Sequence, residues 1–172
     1  MNMYEQDLGK TAANFTALSP VSFVERSAEV FGDLPSVVHG ARRYNWGQTR
    51  ERSARLAAAL RALGIGRGDT VSAMLPNTPE MVEAHCEAKV LITDREFAPV
   101  MAPALRLLRE EHGRTPIVID VCDSEYGGAG ELFGEGSGAH EYEALLQAHE
   151  PLPRLEGPRD EWDAIAVSYT SG

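Results

Sequence analysis

The apolar positions of this chain fall into alternating helical and strand-like spacings. Ser19-Pro20 gives an N-cap followed by proline at the first helical position, and Val21, Val24, Ala28 and Phe31 then recur at helical spacing until Gly32. Ser36 to His39 reads as a short strand, Gly40-Ala41 as a turn and Arg42 to Tyr44 as the returning strand of a small hairpin. The clearest helix carries Leu56, Ala59, Leu60 and Leu63 on one stripe, with Arg52, Arg55 and Arg61 largely outside it and Gly64 closing it. Residues 70–75 form a buried-strand pattern. Pro76-Asn77-Thr78-Pro79 interrupts it, with Thr78 capping a helix that starts at Pro79. A further strand is predicted at 88–93. A helix presenting Phe97, Val100, Met101, Ala104, Leu105 and Leu108 on one face follows, and then a long strand at 116–122. Residues 123–138 are glycine-rich and acidic, which predicts a loop. His140 to His149 reads as a short helix, Pro151, Pro153 and Pro158 as an extended linker, and 163–169 as a buried strand running into Thr170-Ser171-Gly172.

Strands alternating with helices predict an α/β fold, a layered, mostly parallel sheet with flanking helices. One connection fits poorly. Six strand residues span about 20 Å at ~3.3 Å each, whereas the eight helical residues before the strand at 88 return only about 12 Å at ~1.5 Å each. The crossover is short at residues 84–87.

Composition narrows the function classes. With 172 residues and 43% apolar positions, the chain can bury a core. A net charge of −10 argues against nucleic acid or an anionic membrane as partner. Cys86 and Cys122 make no CxxC pair, the start shows no basic segment leading into an apolar one, and no apolar run reaches a membrane-spanning length. A soluble cytoplasmic protein without a membrane span is the expectation. Residues 1–14 read as a flexible N-terminal arm.

Candidate chemistry is sparse. Thr170-Ser171-Gly172 after a strand suits the start of a phosphate-binding loop, since glycine admits close backbone approach and hydroxyls hold phosphate oxygens. By itself the bare tripeptide reads first as an ordinary turn. His39, His85, His112, His140 and His149 lack metal-ligand spacing and are read as structural or surface residues. Cys122 is read as a small buried residue, Trp46 and Trp162 as packing anchors, and Asp120, Asp123 and Glu125 as a solvated loop edge rather than a cation site. No catalytic residue and no metal ligand is assigned.

The order of several blocks adds a resemblance. These are Ser19 to Arg26, Arg43-Tyr44-Asn45-Trp46, Ser53 to Leu60, Gly66-Arg67-Gly68-Asp69-Thr70-Val71, Leu75 to Val82, Glu87 to Thr93 and Ala166 to Gly172. Over nearly the whole chain after about Phe15 this series resembles AMP-forming acyl-CoA synthetases of the adenylate-forming superfamily. The resemblance implies that 15–172 is an incomplete N-terminal part of an AMP-binding (adenylation) domain. It implies a family that couples a carboxylic acid, here a fatty acid by overall flavour, to ATP as an acyl-adenylate and then transfers it to CoA. ATP, Mg2+, CoA and a small-molecule carboxylate are implied for the full-length family, with none binding tightly here. Thr170, Ser171 and Gly172 are implied as the start of the ATP-phosphate loop. Its continuation to a Pro-Lys-Gly ending, the magnesium-binding Glu and the lysine of the C-terminal lid have no counterpart in the sequence. Family members also carry a strand and helix that are missing near Cys86, where the crossover is short. The expectation is an inactive fragment that self-associates through exposed strands. The alternatives are an adenylating enzyme with a non-CoA acceptor, or a non-catalytic α/β remnant or binding module.

Overall fold

The computed structural model describes residues 9, 11, 13–75, 88–123, 140–158, 160 and 162–164. The arm predicted at 1–14 falls almost entirely outside these. So do the helix predicted after Thr78, the junction at 84–87, most of the acidic loop and the strand predicted to end at Tyr169.

Helix α1 spans Pro20–Phe31 and starts where the sequence places it. Ser22 N–H donates to the Ser19 hydroxyl at 3.3 Å, and Ser19 N–H returns the bond to the Ser22 hydroxyl at 3.4 Å. This reciprocal pair satisfies two of the donors a helix start leaves open. The helix stops at Gly32, but in right-handed rather than left-handed geometry. Strands β1 (Pro35–His39) and β2 (Arg42–Asn45) form the expected antiparallel hairpin, with Gly40 at φ 52° making the turn.

Helix α2 runs Trp46–Ala62, and Asn45 caps it through a second reciprocal pair with Gln48. Its end is a Schellman turn. Gly64 takes φ 81°, Gly64 N–H donates to Arg61 O and Ile65 N–H reaches back to Leu60 O at 3.0 Å. Leu60 and Ile65 accordingly pack against the same core.

The main sheet has the order β3-β4-β5-β6: Val71–Met74, Val90–Asp94, Ile117–Val121 and His140–Glu141. All its pairings are parallel, in register Val71↔Val90 and Val90↔Ile117. The predicted α/β class and parallel sheet therefore hold. Strand β4 is buried at every position, as expected for the centre of a parallel sheet covered on both faces. Side-chain alternation sends Val90 and Ile92 to one face, where Ile119, Ala59 of α2 and Leu145 complete the core. The opposite face carries Leu91 and Val118 with the buried polar side chains Ser72, Thr93 and Asp120.

A 3-10 turn over Arg95–Phe97 leads into α3, Ala98–His112. Of the stripe predicted for α3 only Met101 is buried, while Val100 is 61% exposed and Ala104 is exposed. Phe31 of α1 is likewise half-exposed. Periodicity names the apolar stripe but not the part of it a neighbour reaches. The predicted helix at 140–149 is also corrected. His140-Glu141 pairs as β6 beside Ile119-Asp120, and α4 covers only Tyr142–Gln147. The Glu141 carboxylate then caps α4, accepting from Ala144 N–H at 2.6 Å.

Candidate functional site

In open parallel sheets the carboxyl ends of the strands are where ligands gather. Here that edge is built from Thr93, Asp94 and Asp120, all without solvent exposure. The Asp94 carboxylate caps the 3-10 turn, accepting from Glu96 N–H at 3.0 Å, and its second oxygen has no hydrogen-bond partner among the described residues. Asp120 sits in register with Thr93 and accepts from Arg95 Nε at 3.2 Å. Alternation puts Asp94 on the opposite face of the sheet from Asp120, so the two carboxylates do not converge on one point.

The three acids grouped in the sequence separate in the structure. Asp120 is buried and ion-paired rather than a solvated loop edge. The Asp123 carboxylate meets His39 Nε2 at 2.8 Å, and Glu125 lies outside the described residues. No cluster of three metal-ligating side chains occurs among the described residues. Cys122 is exposed rather than buried, its carbonyl accepting from Arg42, because the strand ends one residue earlier. Among the described residues Trp162 is 91% exposed rather than a packing anchor. Thr170, Ser171 and Gly172 lie outside the described residues.

Partly exposed ion pairs hold elements together. The Arg52 guanidinium of α2 donates to both oxygens of Glu143 on α4, at 2.8 Å through Nη1. It lies 4.7 Å from the Tyr44 ring centroid and 6.0 Å from that of Tyr142. Arg52 holds the Glu143 carboxyl below its usual range by this hydrogen bond, against the opposing effect of burial. Burial pushes the Tyr142 hydroxyl up. Arg50 grips Glu25 at 3.1 Å, Glu25 accepts from Leu155 N–H at 2.8 Å, and Arg55 donates to His149 O at 2.7 Å. Of the arginines placed outside the apolar stripe of α2, Arg52 ties α4 to it and Arg55 the residue His149 after α4, while Arg50, not singled out in the sequence, ties α1 and the proline-rich linker. Asn45, Asp94 and Glu143 were not singled out in the sequence. A Thr-Asp pair closing an apolar run was the available signal for Asp94.

A phosphate site needs convergent donors. The described carboxyl edge offers buried acids and one arginine already bound to Asp120, so it does not fit ATP. Its separated carboxylates do not fit Mg2+ either.

Comparison with known proteins gives the context. Residues 24–85 match the family described as AMP-binding enzyme. The chain is 35% identical to the peroxisomal acetate/butyrate–CoA ligase AAE7 of Arabidopsis thaliana over 197 residues, covering 96% of this chain and 35% of that protein. It belongs to the AMP-binding enzyme family. A second relative, the acetate–CoA ligase CCL3 of Humulus lupulus, is 34% identical over 197 residues with the same two coverages. The chain therefore spans about a third of the length of the curated relatives it matches. Among solved structures it superposes on the anthranilate–CoA ligase AuaEII in complex with anthranoyl-AMP, with a TM-score of 0.62 and 16% identity over 88% of this chain and 32% of that one. The apo structure of MbtA from Mycobacterium smegmatis gives a TM-score of 0.58 at 18% identity, covering 83% and 30%. These likenesses show the α/β fold. Among the described residues no helix is long and apolar enough to cross a membrane.

Proposed function

We propose that this chain is the leading part, from about residue 15 onward, of an AMP-forming carboxylate–CoA ligase. We further propose that its 172 residues do not complete a catalytic site. The observation that carries the reading is the match to acetate– and butyrate–CoA ligases along almost the whole chain, at about a third of their length. The substrate of the whole protein is then a carboxylic acid activated by ATP as an acyl-adenylate and passed to CoA. The acetate and butyrate of the relatives favour a short chain within the fatty acids suggested by overall flavour. Thr170, Ser171 and Gly172 are the proposed start of its ATP-phosphate loop.

The described residues supply the scaffold of this function. The β3–β6 sheet sets the carboxyl edge, and Arg50 and Arg52 of α2 tie α1 and α4 to it. In the whole protein ATP would supply the adenylyl group, with pyrophosphate leaving, and ATP and Mg2+ would be held by residues other than Asp94 and Asp120. The test is carboxylate-dependent pyrophosphate release by the purified chain given ATP, Mg2+, CoA and acids from acetate to palmitate. No release above a no-protein blank is expected. Release that depends on one of the acids would show that the chain is catalytically complete and overturn the second half of the proposal.

A further inference from the structure

The turn of the β1–β2 hairpin reaches the carboxyl end of β5. His39 and Arg42 are the terminal pair of the hairpin, one on each side of the Gly40-Ala41 turn. Both grip the chain as it leaves β5, which ends at Val121. His39 Nε2 lies 2.8 Å and 3.0 Å from the two carboxylate oxygens of Asp123, and Arg42 Nη2 donates to Cys122 O at 3.2 Å. The two contacts join residues 84 and 80 positions apart, so they fasten the hairpin to the sheet rather than to its own neighbours. Arg43 Nη1 donates to Gly40 O and Arg42 O and so folds over the turn.

The two halves of this grip differ in chemistry. A guanidinium keeps its charge throughout the neutral range, whereas an imidazole gains a positive charge as pH falls from about 8 to about 5.5. That charge adds Coulomb attraction to the bond a neutral ring already makes with a carboxylate. The other histidine pair among the described residues, His112 with Glu111 at 4.0 Å, joins neighbours on one helix and bridges nothing. The charged groups on the elements packed around the tip are Arg42 and Arg43 on β2, Arg52 on α2, whose guanidinium lies over Tyr44, and Glu143 on α4, which Arg42 helps to keep ionised. Arg50 and Arg55 of α2 are engaged by Glu25 and Glu51. Arg42 and Arg43 oppose a further positive charge at His39, but they bond to main-chain carbonyls rather than to the ring. The direct contact with Asp123 therefore outweighs them, since attraction falls with distance and is screened by water.

We propose that the hairpin tip and the carboxyl end of β5 form a proton-dependent clamp, in which protonation of His39 tightens its hold on Asp123 while Arg42 holds Cys122 O throughout. The hairpin is then fixed to the carboxyl edge of the sheet more firmly in mild acid than in mild alkali. Half of the His39 side chain is exposed, against 16% of that of Asp123. This exposure limits the gain to about three-fold in the closing equilibrium of the clamp. The clamp operates whether or not the whole protein is a ligase.

The unaltered chain is compared with His39→Gln, Asp123→Asn, the double variant and Arg42→Met at about pH 5.5 and about pH 8. Urea unfolding of the first four gives the coupling between His39 and Asp123 at each pH. Amide protection factors over 37–44, with the intrinsic exchange rate divided out, report the hairpin itself. In the unaltered chain the coupling should be about three-fold larger in the folding equilibrium at the lower pH, and hairpin protection should rise by a similar factor. His39→Gln and Asp123→Asn should each abolish that rise. Arg42→Met should lower protection at both pH values and leave the rise in place. A coupling equal at the two pH values, or a rise that survives Asp123→Asn, would overturn the proposal.

Discussion

Arg52 joins three elements, and removing it should loosen all of them. Its guanidinium makes a two-pronged bond to Glu143 and stacks on Tyr44, with 27% of the Arg52 and 41% of the Glu143 side chain exposed. A charge-assisted fork is worth more than a simple surface pair. The exposure of Glu143 nevertheless limits the ion pair to about 1 kcal/mol. The stack over Tyr44 adds about 0.5–1 kcal/mol. Arg52→Met keeps most of the apolar stem and should cost about 1–2 kcal/mol, or roughly 2–8 °C in Tm for a domain of this size. Glu143→Gln should cost less, and the double variant should show a coupling of ~0.5–1 kcal/mol in urea unfolding. The pH dependence has a definite sign. Glu143 titrates below its ordinary value when folded, chiefly through the bond from Arg52. Its contribution is therefore complete above the carboxylate's ordinary value of about 4.3 and vanishes as pH falls through the lowered folded value. A coupling under about 0.2 kcal/mol at neutral pH, or one unchanged in acid, would refute this account of the arginine.

Other expectations follow from the same packing. Leu91→Ala empties a fully buried position at the centre of the sheet and should cost ~2–5 kcal/mol, enough to unfold much of the population as read by circular dichroism. A temperature melt matching the parent would contradict the burial of β4. Glu25→Gln removes the charged acceptor shared by Arg50 and Leu155 N–H. It should speed proteolytic cleavage within 150–158 while leaving the core melt within about 1 kcal/mol of the parent, and unchanged cleavage would contradict the latch. Phe23, Val30 and Phe31 line one exposed face of α1, beside exposed Leu34 and Val38. The chain should therefore bind apolar dyes and self-associate as its concentration rises. A monomer at every concentration, without dye binding, would oppose that.

Most of the scaffold was legible in the sequence because its signals are local. Ser19-Pro20 fixed the start of α1, Leu63-Gly64 the end of α2, and the run Val90-Leu91-Ile92 the central strand. That strand is buried at every position from Val90 to Asp94. What failed depended on long-range partners. Val100 looked like core because helical spacing cannot say how far a neighbour extends. Asp120 looked solvated because its partner, Arg95, stands on another strand's continuation. His140-Glu141 read as helix because pairing with β5 lies outside any sequence window. The candidate phosphate residues, Thr170 to Gly172, were legible only as a family block, since three small residues after a strand specify no ligand by themselves.

The central claim, that this chain is the leading part of an AMP-forming carboxylate–CoA ligase, is tested most directly by substitution into a relative. The matching leading third of the acetate–CoA ligase CCL3 of Humulus lupulus is replaced by this chain, once as it stands and once with that relative's own residues restored near Cys86, where the sequence lacks the family's strand and helix. Acetate-dependent pyrophosphate release and acetyl-CoA formation are then measured. The restored hybrid should release pyrophosphate and form acetyl-CoA in an acetate- and ATP-dependent manner, and the unrestored hybrid should do so weakly or not at all. A restored hybrid that folds, binds ATP and still forms no acetyl-adenylate would contradict the claim.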